Sequence, residues 1–99
     1  MNRIEWSQLA RQDLLEIHAY IARDSPQYAL RTVKKIKAAV EGVQLFPLSG
    51  AIVPEWDRGD VREIFVGNYR VIYQADEEAI RVLTVIHSAR RLPKSHNGE

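Results

Sequence analysis

The chain has 99 residues, enough for one domain with one modest core, and no cysteine, which excludes disulfides and thiolate metal sites. Lysine and arginine number 14 against 13 acids, so a net charge of +1 gives no bulk electrostatic case for direct nucleic-acid binding. No apolar run approaches the ~20 residues of a membrane span, and the first six residues carry no apolar leader region, so a cytoplasmic protein with no membrane partner is expected.

Arg3-Ile4-Glu5-Trp6 alternates polar and apolar residues and predicts a short first strand. Ser7 then offers a hydroxyl to cap a helix over Ser7 to Arg23. Ala10, Leu14, Ile17 and Ile21 make its apolar stripe, and Leu9, Leu15 and Ala22 are expected to widen it. Ser25 and Pro26 open a second helix, because proline at the first helical position loses no useful hydrogen bond. Its stripe, Ala29, Val33, Ile36, Val40 and Val43, runs toward Pro47. Lys34, Lys35 and Lys37 fall on other faces and read as a solvated surface. So short a turn between two long helices predicts an antiparallel hairpin.

Residues 48–60 show no clear period and read as a loop carrying Trp56. The pattern then changes to strands. Val61–Val66 and Tyr69–Gln74 are rich in β-branched and aromatic residues and are separated only by Gly67-Asn68, a two-residue hairpin signal. Asp76-Glu77-Glu78 turns the chain into Ile80–His87, which is apolar on both alternations and therefore expected inside the sheet. A polar tail follows, expected to be flexible over 93–99. The prediction is a single α+β domain over residues 1–99 in the order β-α-α-β-β-β. A helical hairpin packs on one face of a mainly antiparallel four-stranded sheet, and the other face is left open. Trp6 and Phe46 are expected in the core. Tyr69 and Tyr73 are expected on the sheet face under the helices.

Three segments together carry a family resemblance over roughly residues 3 to 92. Ile4-Glu5-Trp6-Ser7 is followed by Ala10, Asp13 and Leu14. Glu63-Ile64-Phe65-Val66-Gly67-Asn68-Tyr69-Arg70-Val71-Ile72-Tyr73 is a hairpin whose turn leads into Tyr-Arg-aliphatic-aliphatic-Tyr. Ile80–His87 ends in His87-Ser88-Ala89-Arg90-Arg91, a His-x-x-Arg-type sequence. In this combination the chain resembles the ParE/RelE toxin superfamily. The resemblance implies the toxin of a type II toxin–antitoxin pair, silenced by a cognate antitoxin protein and needing no cofactor or metal. It also implies one of two targets. RelE-like members cleave mRNA on the ribosome, and ParE-like members trap the cleaved complex of DNA gyrase.

A metal-free ribonuclease must activate a 2′-hydroxyl, hold a phosphate and protonate a leaving oxygen. Arg62, Arg70, Arg81 and His87 are the residues this chain offers for it. Replacing Arg70 and His87 together by Ala is then expected to abolish cleavage and spare antitoxin binding. The set lacks the lysine and the tyrosine after histidine that the RelE pattern implies, and the helices look ParE-like in length. The gyrase reading is therefore preferred, with DNA reached only through gyrase or antitoxin. The ribosome-dependent ribonuclease is the alternative, and a non-toxic antitoxin-binding module is the third. On the preferred reading, Trp56, Arg62, Arg70, Arg81, His87, Arg90 and Arg91 become candidates for contact with target or antitoxin. Arg62 and Arg70 have a plainer reading as cross-strand partners of Glu63 or other acids. His87 likewise reads as a structural histidine.

Overall fold

The computed structural model describes residues 2–90 and 92. The elements in order are β1 (Arg3–Trp6), α1 (Gln8–Ala22), α2 (Pro26–Val43), β2 (Ala51–Ile52), β3 (Val61–Val66), β4 (Tyr69–Ala75) and β5 (Ala79–His87). They form one sheet in the order β1-β5-β4-β3-β2. β1 runs parallel to β5, and every other pair is antiparallel. The α+β architecture is the expected one, with one strand more. The two-residue β2 inside the irregular segment pairs with β3 through Ala51–Glu63 and Ile52–Arg62, and is too short to leave a period in the sequence.

Both helices start where their serines direct. The Ser7 hydroxyl accepts the Ala10 N–H at 2.9 Å and the Ser25 hydroxyl accepts the Tyr28 N–H at 3.1 Å, each satisfying an orphan donor of a first turn. Gly67 alone of the two hairpin residues has positive φ (57°), the pattern of a II′ turn, which glycine enters without steric cost. At the next turn, Asp76 Oδ1 accepts from the Glu78 and Ala79 N–H groups and folds the chain into β5.

The main core lies between helices and sheet. It joins Ala10 and Leu14 of α1, Ile36 and Val40 of α2, Val71 of β4 and Val82 and Val85 of β5. Tyr69 packs against it, and fully buried Tyr73 joins Val43 and Ile80 in an adjoining cluster, so both tyrosines lie under the helices as expected. Where β1 ends, α1 takes over the edge of β5. Ser7 Oγ donates to the Leu83 carbonyl at 2.8 Å, and Asp13 Oδ2 accepts the Val85 N–H at 2.9 Å as well as the Thr84 hydroxyl. The backbone groups that β1 is too short to reach are thus satisfied.

Three expectations change. The far face of the sheet is not open. Val53, Val61, Ile72 and Leu92 form a core cluster there, with Trp56, Leu83 and Ile86 packed against it. The irregular segment folds back across the sheet because it carries the apolar side chains that the outward alternation of β3, β4 and β5 needs as partners. Phe46 is 70% exposed rather than buried, because α2 ends at Val43 and the chain has turned away from the core by then. Leu9 and Leu15 are exposed too, so the buried stripe of α1 is narrower than its apolar residues suggest.

Candidate functional site

The four residues of the ribonuclease reading are not brought together. Arg70 points to the far face and is 7% exposed. Its Nη1 and Nη2 donate to the two carboxylate oxygens of Glu55 at 2.9 Å each, and its Nε donates to Glu63 Oε1 at 2.6 Å. Both acids come from flanking segments, Glu63 from β3 and Glu55 from the turn after Val53. This forked contact, with short charge-assisted bonds, occupies the guanidinium with protein carboxylates rather than leaving it to a phosphate. The Arg70 bond, helped by the Leu92 N–H, holds the Glu55 carboxyl down at about 2 against the cost of its burial. The same bonds, Glu55 first, raise Arg70 above the ordinary guanidinium range.

Arg62 is committed differently. Its Nη1 donates to the carbonyls of Leu48 (2.8 Å) and Gly50 (3.0 Å), and its Nε donates to the Gly59 carbonyl (3.0 Å). It staples the irregular segment to β3. Arg81 pairs with Asp76 and, at 3.2 Å, with Glu5 across the β1–β5 pair. The Arg81 bond, joined by the N–H groups of the turn, holds Asp76 at about 2. Arg81 sits opposite Gln74 and Arg70 opposite Ile86, so they occupy opposite ends of the β4–β5 pair.

His87 is exposed and stands edge-on to Tyr69, with ring centroids 5.7 Å apart. Its Nδ1 accepts the Ala89 N–H at 3.1 Å, which leaves Nε2 as its free nitrogen. His87 pairs with Tyr69, on the helix side, and Arg70 pairs with Ile86, so His87 and Arg70 project from opposite faces. Arg90 is exposed and lines a far-face pocket of about 500 Å3 with Glu55, Glu63, Phe65 and Arg70. Arg91 lies outside the described residues. Trp56 is half-buried against the far-face core, so its main role is to close that core.

Two surfaces escaped the sequence reading. The first is a groove of about 800 Å3 along the free edge of β1, between that strand and the helical hairpin. Ile4, Trp6, Leu14, Leu15 and Val33 supply its apolar lining. Arg11, His18 and Lys37 stand at it with Glu5 and Glu41, and among the described residues neither Arg11 nor Lys37 has an ion-pair partner. The pattern of α1 assigns Leu15 to the buried stripe, although it is exposed, and no local pattern marks the groove. The second is a run of exposed apolar side chains, Leu45, Phe46, Leu48 and Ile52, leading into β2 at the opposite sheet edge. Its sequence signal is the absence of any charge between Glu41 and Glu55. Among the described residues no group of three or more His, Cys, Asp or Glu could hold a metal ion.

The chain is thus a small α+β domain whose Arg62, Arg70 and Arg81 are tied internally and whose β1 edge carries a groove. The profile described as "ParE toxin of type II toxin-antitoxin system, parDE" matches residues 4–92. "Putative toxin Y4kP" of Sinorhizobium fredii (strain NBRC 101917 / NGR234) is 33% identical over 94 residues, spanning 93% of this chain and 94% of that protein. Among solved structures, the fold is shared with the chromosomal ParDE system of P. aeruginosa at a TM-score of 0.72 and 23% identity, covering 88% of this chain and 96% of that one. It is shared also with the YoeB dimer of Staphylococcus aureus at 0.61 and 15%, covering 87% and 95%. The chain belongs to the ParE toxin family of type II toxin–antitoxin systems. As expected from its sequence, it is a member of the ParE/RelE superfamily.

Proposed function

We propose that the protein arrests growth by binding DNA gyrase and trapping its cleaved DNA complex, and that a cognate antitoxin silences it by filling the groove along β1. The observation that carries the gyrase reading is the commitment of Arg62, Arg70 and Arg81 to carbonyls and carboxylates of the chain itself. A phosphate-holding site for ribonuclease chemistry needs such groups pre-organised toward the substrate. A toxin that acts by occupying another protein's surface does not.

The antitoxin reading rests on the groove. Its apolar lining, the β1 edge that no described strand pairs, and Arg11 and Lys37, which lack an ion-pair partner among the described residues, suit an amphipathic acidic segment. The structurally similar YoeB of Staphylococcus aureus occurs in a heterotetrameric YoeB-YefM toxin-antitoxin complex, which supports a protein antitoxin here as well.

Purified toxin incubated with gyrase, ATP and supercoiled plasmid, then denatured, is expected to yield linear DNA that added antitoxin suppresses. Unaffected gyrase alongside continued growth arrest would sink the gyrase reading. The ribonuclease reading keeps one supporting observation, the exposure of His87 and Arg90 at the end of β5. It predicts that His87→Ala ends mRNA cleavage on ribosomes at unchanged stability.

A further inference from the structure

The arginines of β3, β4 and β5 are tied within the chain, and so are Arg3 and Arg58. Among the described residues, the cations without an ion pair or a side-chain hydrogen bond are Arg90 and those of the helical hairpin. The second helix concentrates them. It holds Arg31, Lys34, Lys35 and Lys37, four of the chain's 14 cations, against Glu41 alone of its 13 acids. No acid occurs between Asp24 and Glu41. Ten cations and twelve acids remain for the rest of the chain, so the net charge of +1 hides a basic helix on an acidic remainder.

Helix geometry joins three of these cations into one strip. Lys34 and Lys35 lie three and four residues after Arg31, and Tyr28 lies three before it, so all four are neighbours on the helix surface. Ala29, Ile36, Val40 and Val43 are buried and define the opposite face. Tyr28, Arg31, Lys34 and Lys35 are all exposed, and none lines the groove or the far-face pocket. At 1.5 Å per residue the strip is about 10 Å long.

We propose that the strip Tyr28–Arg31–Lys34–Lys35 of α2 is a contact for the phosphate backbone of duplex DNA. Charge complementarity selects this occupant. A duplex offers one negative charge per about 1.7 Å of its axis, so each of the three cations can find a phosphate along the strip. Arginine, lysine and tyrosine are all residues that hold phosphate oxygens. A protein partner finds no aliphatic anchor here, because the outward neighbours Gln27, Ala38 and Gly42 are polar or small. Exposed Leu30 is in line with Val33 and Lys37 of the groove instead. A single strand needs successive aromatic platforms, and the strip has only Tyr28. The source of the DNA rests on the gyrase reading above: the strip lies against DNA that gyrase holds, so the toxin grips protein and DNA together.

The test titrates purified toxin against a short fluorescent DNA duplex at rising salt, and runs the gyrase cleavage assay in parallel. Neutralising three phosphates should weaken duplex binding about 40-fold between about 50 and 200 mM salt. Arg31→Gln/Lys34→Gln/Lys35→Gln should keep the wild-type melting temperature, antitoxin co-purification and binding to gyrase without DNA. It should lose most of the duplex affinity and its salt dependence, and trap about a tenth or less of the linear plasmid. Lys34→Glu/Lys35→Glu should act in the same direction, which covers a failure of the triple variant to fold. Lys34→Arg/Lys35→Arg should bind and trap as wild type does. A wild-type toxin with no salt-dependent duplex binding overturns the inference, even if gyrase is trapped. So does undiminished trapping by both disruptive variants, stronger binding to single-stranded DNA or RNA than to duplex, or loss of antitoxin or DNA-free gyrase binding in the variants. Duplex binding that the variants lose, beside a wild type that leaves gyrase unaffected, keeps the DNA contact and removes only the gyrase reading.

Discussion

Arg70 shows how far the surroundings of one side chain can lie from its place in the sequence. Its strand position after Tyr69 matches a family pattern, and nothing local says whether its guanidinium meets substrate or protein. Glu55, fifteen residues earlier, reaches it across the far face and occupies two of its nitrogens. Arg70→Ala would strand Glu55 and Glu63 without their cation and should cost about 3–5 kcal/mol in urea denaturation. The paired substitution of Arg70 and His87 would therefore report folding as well as chemistry, and His87→Ala alone is the cleaner probe. Glu55 also sets an acid limb. Its carboxyl sits at about 2 in the fold, below its ordinary 4.5, so its contribution is complete above 4.5 and disappears as pH falls toward about 2. Glu55→Gln should remove about 3 kcal/mol of the acid loss of stability between those limits, read from denaturation at several pH values, while the depressed Asp76 carboxyl keeps its own share. Gly50 is a third such residue. A Cβ there would lie 2.6 Å from the Tyr73 hydroxyl and 2.7 Å from the Glu63 carbonyl. Gly50→Ala should lower stability by about 1–3 kcal/mol.

At the scale of elements, the informative contact is between α1 and the uncovered edge of β5. Strand β1 stops at Trp6, and the edge beyond it would expose backbone donors and acceptors. Ser7 and Asp13 take them up, so the residue that caps the helix also ties it to the sheet. Asp13→Ala should cost about 1–3 kcal/mol and speed hydrogen exchange at the Val85 amide, because that N–H loses its acceptor. Unchanged exchange there would mean that another group caps the edge. The helices, three of the strands after them and the two-residue hairpin were legible because each leaves a local mark: a 3.6-residue stripe, serine caps, β-branched runs, a Gly67-Asn68 pair. That the turn is II′, with Gly67 alone at positive φ, came from the structure. Strand β2 was not, since two residues carry no period.

For the whole molecule, the sheet has two unlike edges. One is grooved, with Arg11 and Lys37 lacking an ion-pair partner among the described residues, and beside the other Leu45, Phe46, Leu48 and Ile52 are exposed. Antitoxin should raise the melting temperature with increasing concentration, since it binds only the folded toxin. Arg11→Glu/Lys37→Glu should weaken that binding and reduce its salt dependence while leaving toxicity in place. A salt response equal to wild type would show that the antitoxin lies elsewhere.

The sequence by itself determined the α+β class, the order of the long elements, the helix starts and the family, because all of these follow from short-range periodicity, capping chemistry and ordered motifs. Only the tertiary structure decided which arginines are free, that the far face is closed by Val53, Trp56 and Leu92, and that Phe46 is exposed. Those outcomes depend on where a segment without a period folds. They are fixed by pairings such as Glu55 with Arg70 and Tyr73 with Gly50, whose partners lie 15 and 23 residues apart in the chain, too far for any local pattern to join them.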